Sequence, residues 1–227
     1  FLLPFQTRLF LEKGYINGGL SEFQTLSLYA GDIILVVLFS LFLVHRVRNF
    51  SAPKKMGVIW WLLSGLDLMI FLSIFVAEDH ILSIYRYGIF LLGAGLFWVL
   101  VKAEYSRVRL YLSLFAALFI QAGIGIWQFL TQSDIAWKWL GMALHSPAQL
   151  GTVVVEVAEN GGRWLRAYGG MSHPNILGGV LAIGVLILMG VIVNYGFKKK
   201  NFSLFSLISY LLLFTFITSL FFTFSRG

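Results

Sequence analysis

Cysteine is absent from the 227 residues, so neither a disulfide nor a thiolate metal site can contribute to this fold. The same absence is compatible with either side of a membrane and identifies no compartment. Charge is also scarce: Asp, Glu, Lys and Arg make up 12% of the chain and hydrophobic residues 59%, with a mean hydropathy of +0.84. A soluble domain carries about 25% charged residues, so composition excludes an ordinary soluble globule. No Walker A loop, HExxH, GxSxG or dinucleotide-binding glycine fingerprint is present, which removes the commonest soluble-enzyme chemistries. His45, His80, His145 and His173 have no metal-ligand spacing, and neither a metal nor another cofactor is expected. His45 marks the cytoplasmic end of a span, and His80 and His145 read as loop residues. Only His173 sits in a suggestive context.

What is present is a set of long apolar windows near residues 29–45, 58–77, 84–101, 109–130, 175–194 and 203–224. Each is long enough to cross a hydrocarbon core of about 30 Å at about 1.5 Å per residue. Because backbone polar groups find no water in lipid, such windows must be helices or a closed barrel. Runs without strict alternation exclude the barrel. The expected fold is all-α: a polytopic integral membrane helix bundle of about six spans with a small extracytoplasmic loop subdomain. Its expected divisions are spans over 1–130, a loop over 131–173 and a final membrane region over 174–227. Phe1 in place of Met and a stop directly after a span predict a piece of a longer polypeptide.

Lysine and arginine fix the orientation. Arg46, Arg48, Lys54 and Lys55, then Lys102, Arg107 and Arg109, then Lys198, Lys199 and Lys200 collect on one side, which is therefore cytoplasmic. Residues 1–28, 78–83 and 131–173 fall on the other. The net charge of +7 is mainly this topological signal, and it also favours anionic membrane lipids. Charge divided among short loops is not a nucleic-acid footprint.

The long outer loop carries the most specific wording. Asp134 to Leu144 suits an interfacial helix or a simple aromatic anchor. Thr152 to Val157 is β-branched, and Asn160-Gly161-Gly162 supplies turn chemistry before Arg163 to Tyr168, which predicts a hairpin. The hairpin would bring Arg163 and Arg166 towards the start of the fifth span. There, in Arg166 to Gly179 (RAYGGMSHPNILGG), Ser172 or His173 can cap a helix and Pro174 suits its first turn. A helix N-terminus beside arginine attracts phosphate.

Ionisable groups inside spans point to a role because they are costly there. Asp67 lies near the middle of the second span, explained by a protonated carboxyl, a helix contact or catalysis. Asp32 and Arg86, near the outer ends of their spans, are suited to pairing with each other or to joining the outer cationic cluster. Gln121 and Gln128, seven apart, share a helix face.

Two phrases together resemble the bacterial O-antigen ligase and O-antigen polymerase superfamily. One is Arg166, Gly169, His173, Pro174 and Asn175 leading into a span, and the other is Thr223, Ser225, Arg226 and Gly227 closing the next. The likeness covers 150–227, with 174–227 as the start of the ligase-like conserved region. It implies an inverting, metal-independent glycosyltransferase of the bacterial cytoplasmic membrane, contributing to cell-envelope polysaccharide such as lipopolysaccharide. The implied donor is a glycan on undecaprenyl diphosphate, and the implied acceptor is a hydroxyl on a glycan, lipid A core or protein. Arg166 and Arg226 are expected to hold the diphosphate, assisted by His173, Asn175 and Arg163. The family's catalytic histidine lies in a larger loop farther along, so the general base stays unassigned and residues 1–227 alone are expected to be inactive. The competing reading is a transporter of ions or a small solute lined by Asp32, Asp67 and Arg86.

Overall fold

The computed structural model describes residues 5, 7–16, 19–20, 24–48, 57–135, 137, 141–142, 144–148, 152–157, 162–196 and 204–225. Several residues named above lie outside that set: Phe1, Lys54, Lys55, Asn160, Gly161, Lys198 to Lys200, Arg226 and Gly227, with part of the Asp134 to Leu144 stretch. The described chain is mostly helical and forms two compact units, Arg8–Glu104 and Tyr105–Gly227 with Phe1–Thr7.

In the first unit β1 (Arg8–Glu12), β2 (Tyr15–Ile16), β3 (Gly19–Leu20) and β4 (Leu26–Tyr29) precede α1 (Ala30–Arg48), α2 (Val58–Ser73) and α3 (His80–Lys102). β1 pairs antiparallel with β4 from Arg8↔Tyr29 to Glu12↔Leu26, with a bulge after Phe10, and β2 pairs with β3. The expected helical architecture is observed, and short hairpins before α1 add to it. α1 and α3 meet through Phe39 and Phe42, which pack edge-on against Trp98 at ring-centroid separations of 6.0 and 5.1 Å. Asp79 caps α3, its carboxylate accepting from the Leu82 N–H at 2.9 Å.

The second unit contains α4 (Arg107–Thr131), β5 (Val154–Val157), β6 (Gly162–Leu165), α5 (Pro174–Val191) and α6 (Leu204–Phe222). β5 and β6 form the expected hairpin, with Val154↔Leu165 and Glu156↔Arg163 opposed. Among the described residues of 134–144 there is no helix. α5 turns one face inward, Leu177, Leu181, Gly184 and Leu188, the three-to-four spacing of a single helical stripe. It meets Phe115, Leu118 and Ala122 of α4 and Phe216 of α6 in one core. Small residues set the helix separations, as in lipid-embedded bundles: a Cβ on Gly125 would lie 3.0 Å from Ser219 Oγ and 3.1 Å from Leu177 Cδ2.

Among the described residues five helices are long and apolar enough to cross a membrane: Val58–Val76, His80–Lys102, Arg107–Thr131, Pro174–Asn194 and Leu204–Phe222. α1 is apolar over the shorter stretch Ala30–His45. Their outward faces are greasy as well as their inward ones, with Leu186 69%, Phe214 73% and Met69 72% exposed. Water would penalise such surfaces by about 25 cal/mol for each Å² of apolar area.

Candidate functional site

Three glutamines on one side of α4 hold the loop that follows the hairpin. Gln132 ends the helix in a left-handed conformation at φ 53°. Its Oε1 accepts from the Leu165 N–H at 2.7 Å and its Nε2 donates to the Leu165 carbonyl at 3.3 Å. One turn back, Gln128 Oε1 accepts from the N–H groups of Tyr168 (3.1 Å) and Gly169 (2.8 Å), while Nε2 donates to Gly169 O at 2.9 Å. Two turns farther, Gln121 Oε1 accepts from Gly170 N at 2.6 Å. Gln121 and Gln128 are fully buried, so the loop backbone supplies the partners that buried amides require. Gly169 takes a positive φ of 60° against Gln121, a conformation glycine adopts without Cβ strain.

A second network fixes the loop from outside. Asp134 Oδ1 accepts from Gln128 Nε2 (2.6 Å) and Ile135 N (2.7 Å), and Oδ2 accepts from His145 N (2.9 Å) and Nδ1 (2.8 Å). The His145 ring stacks on Tyr168 at 3.9 Å. The Tyr168 hydroxyl in turn accepts from Val153 N at 2.7 Å, beside β5. Burial raises the Tyr168 phenol above its ordinary value, while the Val153 contact and Arg166 act in the opposite sense.

Arg166, between these anchors, joins the end of α6 to the start of α5. Its Nε donates to Thr223 O at 2.5 Å and Nη2 to Asn175 Oδ1 at 2.9 Å, while the Ala167 N–H bonds Phe222 O at 3.0 Å. Those bonds use two of the five guanidinium donors. A cation at the carbonyl end of α6 is favourably placed for the helix dipole. Burial lowers the Arg166 value, opposed by Tyr168; arginine nevertheless stays charged. His173 is the cap of α5: its Nδ1 accepts from Asn175 N at 3.1 Å, and Pro174 occupies the first turn. The ring nitrogen that faces the helix is thus engaged in capping.

The two sequence phrases meet a second time. A Cβ on Gly178 would stand 2.9 Å from Ser225 Cβ and 3.1 Å from Thr223 Oγ1, so α5 presents a bare backbone to the end of α6. Thr223 is fully buried, with its hydroxyl donating to Leu220 O at 2.7 Å. Arg166, His173, Asn175, Thr223 and Ser225 are thereby brought to one place. Arg163 stays on β6, where Nη2 donates to Thr152 O at 3.4 Å.

An open pocket of about 470 Å³ lies at this junction, lined by Val154, Val155, Glu156, Arg166, Asn175 and Phe224. It combines a guanidinium, an amide at a helix N-terminus, one carboxylate and an apolar border. Glu156 belongs to no motif in the sequence. Its signal was slight: one acid in an otherwise apolar β-branched strand, brought to the pocket only by the hairpin's fold-back.

Asp67, Asp32 and Arg86 belong to the other unit. Asp67 Oδ1 accepts from the Tyr87 hydroxyl at 3.1 Å, and Asp32 Oδ2 accepts from Tyr29 N at 3.2 Å. The Arg86 guanidinium carbon lies 5.5 Å from the Tyr85 ring centre. Among the described residues no group of three or more His, Cys, Asp or Glu is arranged to hold a metal. Comparison with protein-family models, with curated proteins and with solved structures finds no match.

Proposed function

We propose that the protein is a polytopic membrane glycosyltransferase resembling the O-antigen ligases, in the bacterial cytoplasmic membrane with the 131–173 loop outside. The donor is a glycan on undecaprenyl diphosphate, and the acceptor is a hydroxyl on a glycan, lipid A core or protein. The observation that carries this reading is the pocket where Arg166 and Asn175 converge at the N-terminus of α5. A half-buried cation at the positive end of the α5 dipole favours a multiply charged anion, and a diphosphate is such an anion. The apolar outward faces of the helices support a lipid environment from which a lipid-linked donor can enter.

In the transfer the acceptor oxygen bonds to the anomeric carbon from the face opposite the diphosphate. The carbon–oxygen bond to the diphosphate breaks, and its electron pair stays on the departing oxygen. Arg166 stabilises the charge that grows there, the kind of preorganised electrostatics that contributes most to such steps. Arg226, adjacent in sequence to Ser225, is assigned the same role.

The test is glycan transfer by the full-length protein in cells that make the lipid-linked donor. Arg166→Ala and Arg226→Ala, expressed at wild-type levels, should each lose about a hundredfold or more. Transfer at the wild-type rate by both variants would remove the diphosphate assignment.

A further inference from the structure

The start of α4, the end of α5 and the start of α6 leave a groove of about 230 Å³ between them, at the helix ends opposite to those that form the pocket of Arg166. Phe115 and Leu188, both buried, form its floor, and the Tyr111 ring stacks beside Phe115 with centres 6.3 Å apart. Val108, Leu112 and Phe205 also line it and are exposed, so its mouth opens outward. From Val108 to Phe115 on α4 and from Phe205 to Leu212 on α6 it follows two helical turns, about 10 Å. Elsewhere Gly125 and Gly184 seat these helices closely; here bulky side chains hold them apart. An apolar cavity stays dry, and left empty its walls lose dispersion contacts. In a bilayer the filler at hand is hydrocarbon.

Charge at the mouth selects the lipid. Arg107 and Arg109 flank Val108 in sequence and are exposed, and among the described residues neither guanidinium makes an ion pair. α4 has no acid in its first turn, and two cations there oppose the helix dipole, so they do not serve α4 itself. Membrane orientation accounts for basic residues on this side, but not for their place beside an apolar groove. We infer that the groove holds one acyl chain of an anionic phospholipid from the leaflet on this side, with its phosphate paired by Arg107 and Arg109. One chain lies against Phe115 and Leu188, and the other stays in the bilayer. A zwitterionic phospholipid has the same chains without the net charge, so discrimination rests on the two arginines, which together contribute about thirtyfold in affinity.

The experiment is native mass spectrometry of the full-length protein in detergent, titrated with phosphatidylglycerol or with phosphatidylcholine of the same chain length. The wild-type protein should retain one phosphatidylglycerol, bound about tenfold or more tighter than phosphatidylcholine. The double variant Arg107→Gln/Arg109→Gln should lose that preference and bind both lipids at the phosphatidylcholine level. Ser209→Leu, which fills the groove from α6, and Ile208→Trp at its more exposed rim should each weaken both lipids by about tenfold or more, the loss of burial for about two methylenes. Glycerol phosphate, the head without its chains, should not compete. A wild-type protein with no preference overturns the proposal, as does a preference that survives in the double variant. Undiminished phosphatidylglycerol binding in both groove variants, or competition by glycerol phosphate, overturns it too, because the lipid would then sit on the surface. A dimer that excludes lipid and dissociates in Ile208→Trp gives the groove to a second copy instead. Displacement of phosphatidylglycerol by undecaprenyl phosphate at lower concentration than by phosphatidylglycerol itself gives it to a polyprenyl lipid, and either result overturns the assignment. None of these outcomes touches Arg166, so the transfer reading stands or falls separately.

Discussion

Gln128 pairs with the peptide of Gly169 as one β-strand pairs with another: its Oε1 accepts the Gly169 N–H at 2.8 Å and its Nε2 returns a bond to the Gly169 carbonyl at 2.9 Å. The same side chain also serves Tyr168 N and Asp134. Removing it leaves buried backbone groups without partners, each at about 1–3 kcal/mol. Gln128→Met should therefore lower stability by about 3 kcal/mol, read as the unfolding midpoint of the detergent-solubilised protein. Gln128→Glu should be worse than Gln128→Met, because it sets a second carboxylate against Asp134 at the 2.6 Å contact. A Gln128→Glu protein more stable than Gln128→Met would contradict this account of the network.

How far the sequence foretold this arrangement depends on the range of the interactions involved. The long helices were legible because an extended hydrophobic run leaves helix as the conformation that satisfies its own backbone, and the observed helices match the apolar windows to within a few residues. The hairpin of β5 and β6 was legible from Thr152 to Val157 and the glycines after Asn160. The shared face of Gln121 and Gln128 follows from helical geometry, but their partners do not. A seven-residue spacing says which way two side chains point and nothing about a loop that returns 40 residues later. The same limit hid Glu156, whose place on the pocket is a tertiary fact. The strands before α1 were missed for a different reason. Arg8 to Glu12 and Leu26 to Tyr29 are short, and their pairing across an intervening hairpin leaves little local pattern.

Tyr168 links the loop to alkaline pH. Its phenol is raised above 10.0 chiefly by burial, so the folded state holds the neutral form while the unfolded chain ionises first. The associated stability is complete below about pH 10 and is lost as pH rises through the folded value. The wild-type protein should lose stability above pH 10 more steeply than Tyr168→Phe. At neutral pH that variant should be weaker by about 1–3 kcal/mol, having lost the acceptor for Val153 N. Unfolding midpoints from neutral to strongly alkaline pH would check both parts, and parallel curves for the two proteins would refute the linkage.

Gly178 and Gly179 form a matched pair for testing the seat of α6 on α5. A Cβ at Gly178 meets Ser225 and Thr223, whereas one at Gly179 meets nothing within 4 Å. Gly178→Ala should push the Thr223 to Ser225 segment away, weaken the Arg166 bond to Thr223 O, and reduce stability by about 1–3 kcal/mol. Gly179→Ala should be neutral or slightly stabilising, since alanine is the better helix former by about 1 kcal/mol. Equal behaviour of the two variants would mean that the contact contributes nothing.

Asn175 allows fold and anion binding to be pulled apart. Its Oδ1 accepts from Arg166 Nη2, and it occupies the first turn of α5. Asn175→Asp keeps that acceptor and adds a negative charge where the helix dipole welcomes one, so stability should hold or rise by about 0.3–1 kcal/mol. The same charge neutralises Arg166 and faces the pocket, so affinity for undecaprenyl diphosphate should fall by about tenfold or more. Arg166→Lys should lose a comparable amount for another reason, because an ammonium cannot span Thr223 O and Asn175 Oδ1 while keeping donors for a ligand. Binding titrations of both variants, beside unfolding midpoints, separate the cases. An Asn175→Asp protein that binds undecaprenyl diphosphate as well as wild type would show that the anion does not sit against the N-terminus of α5.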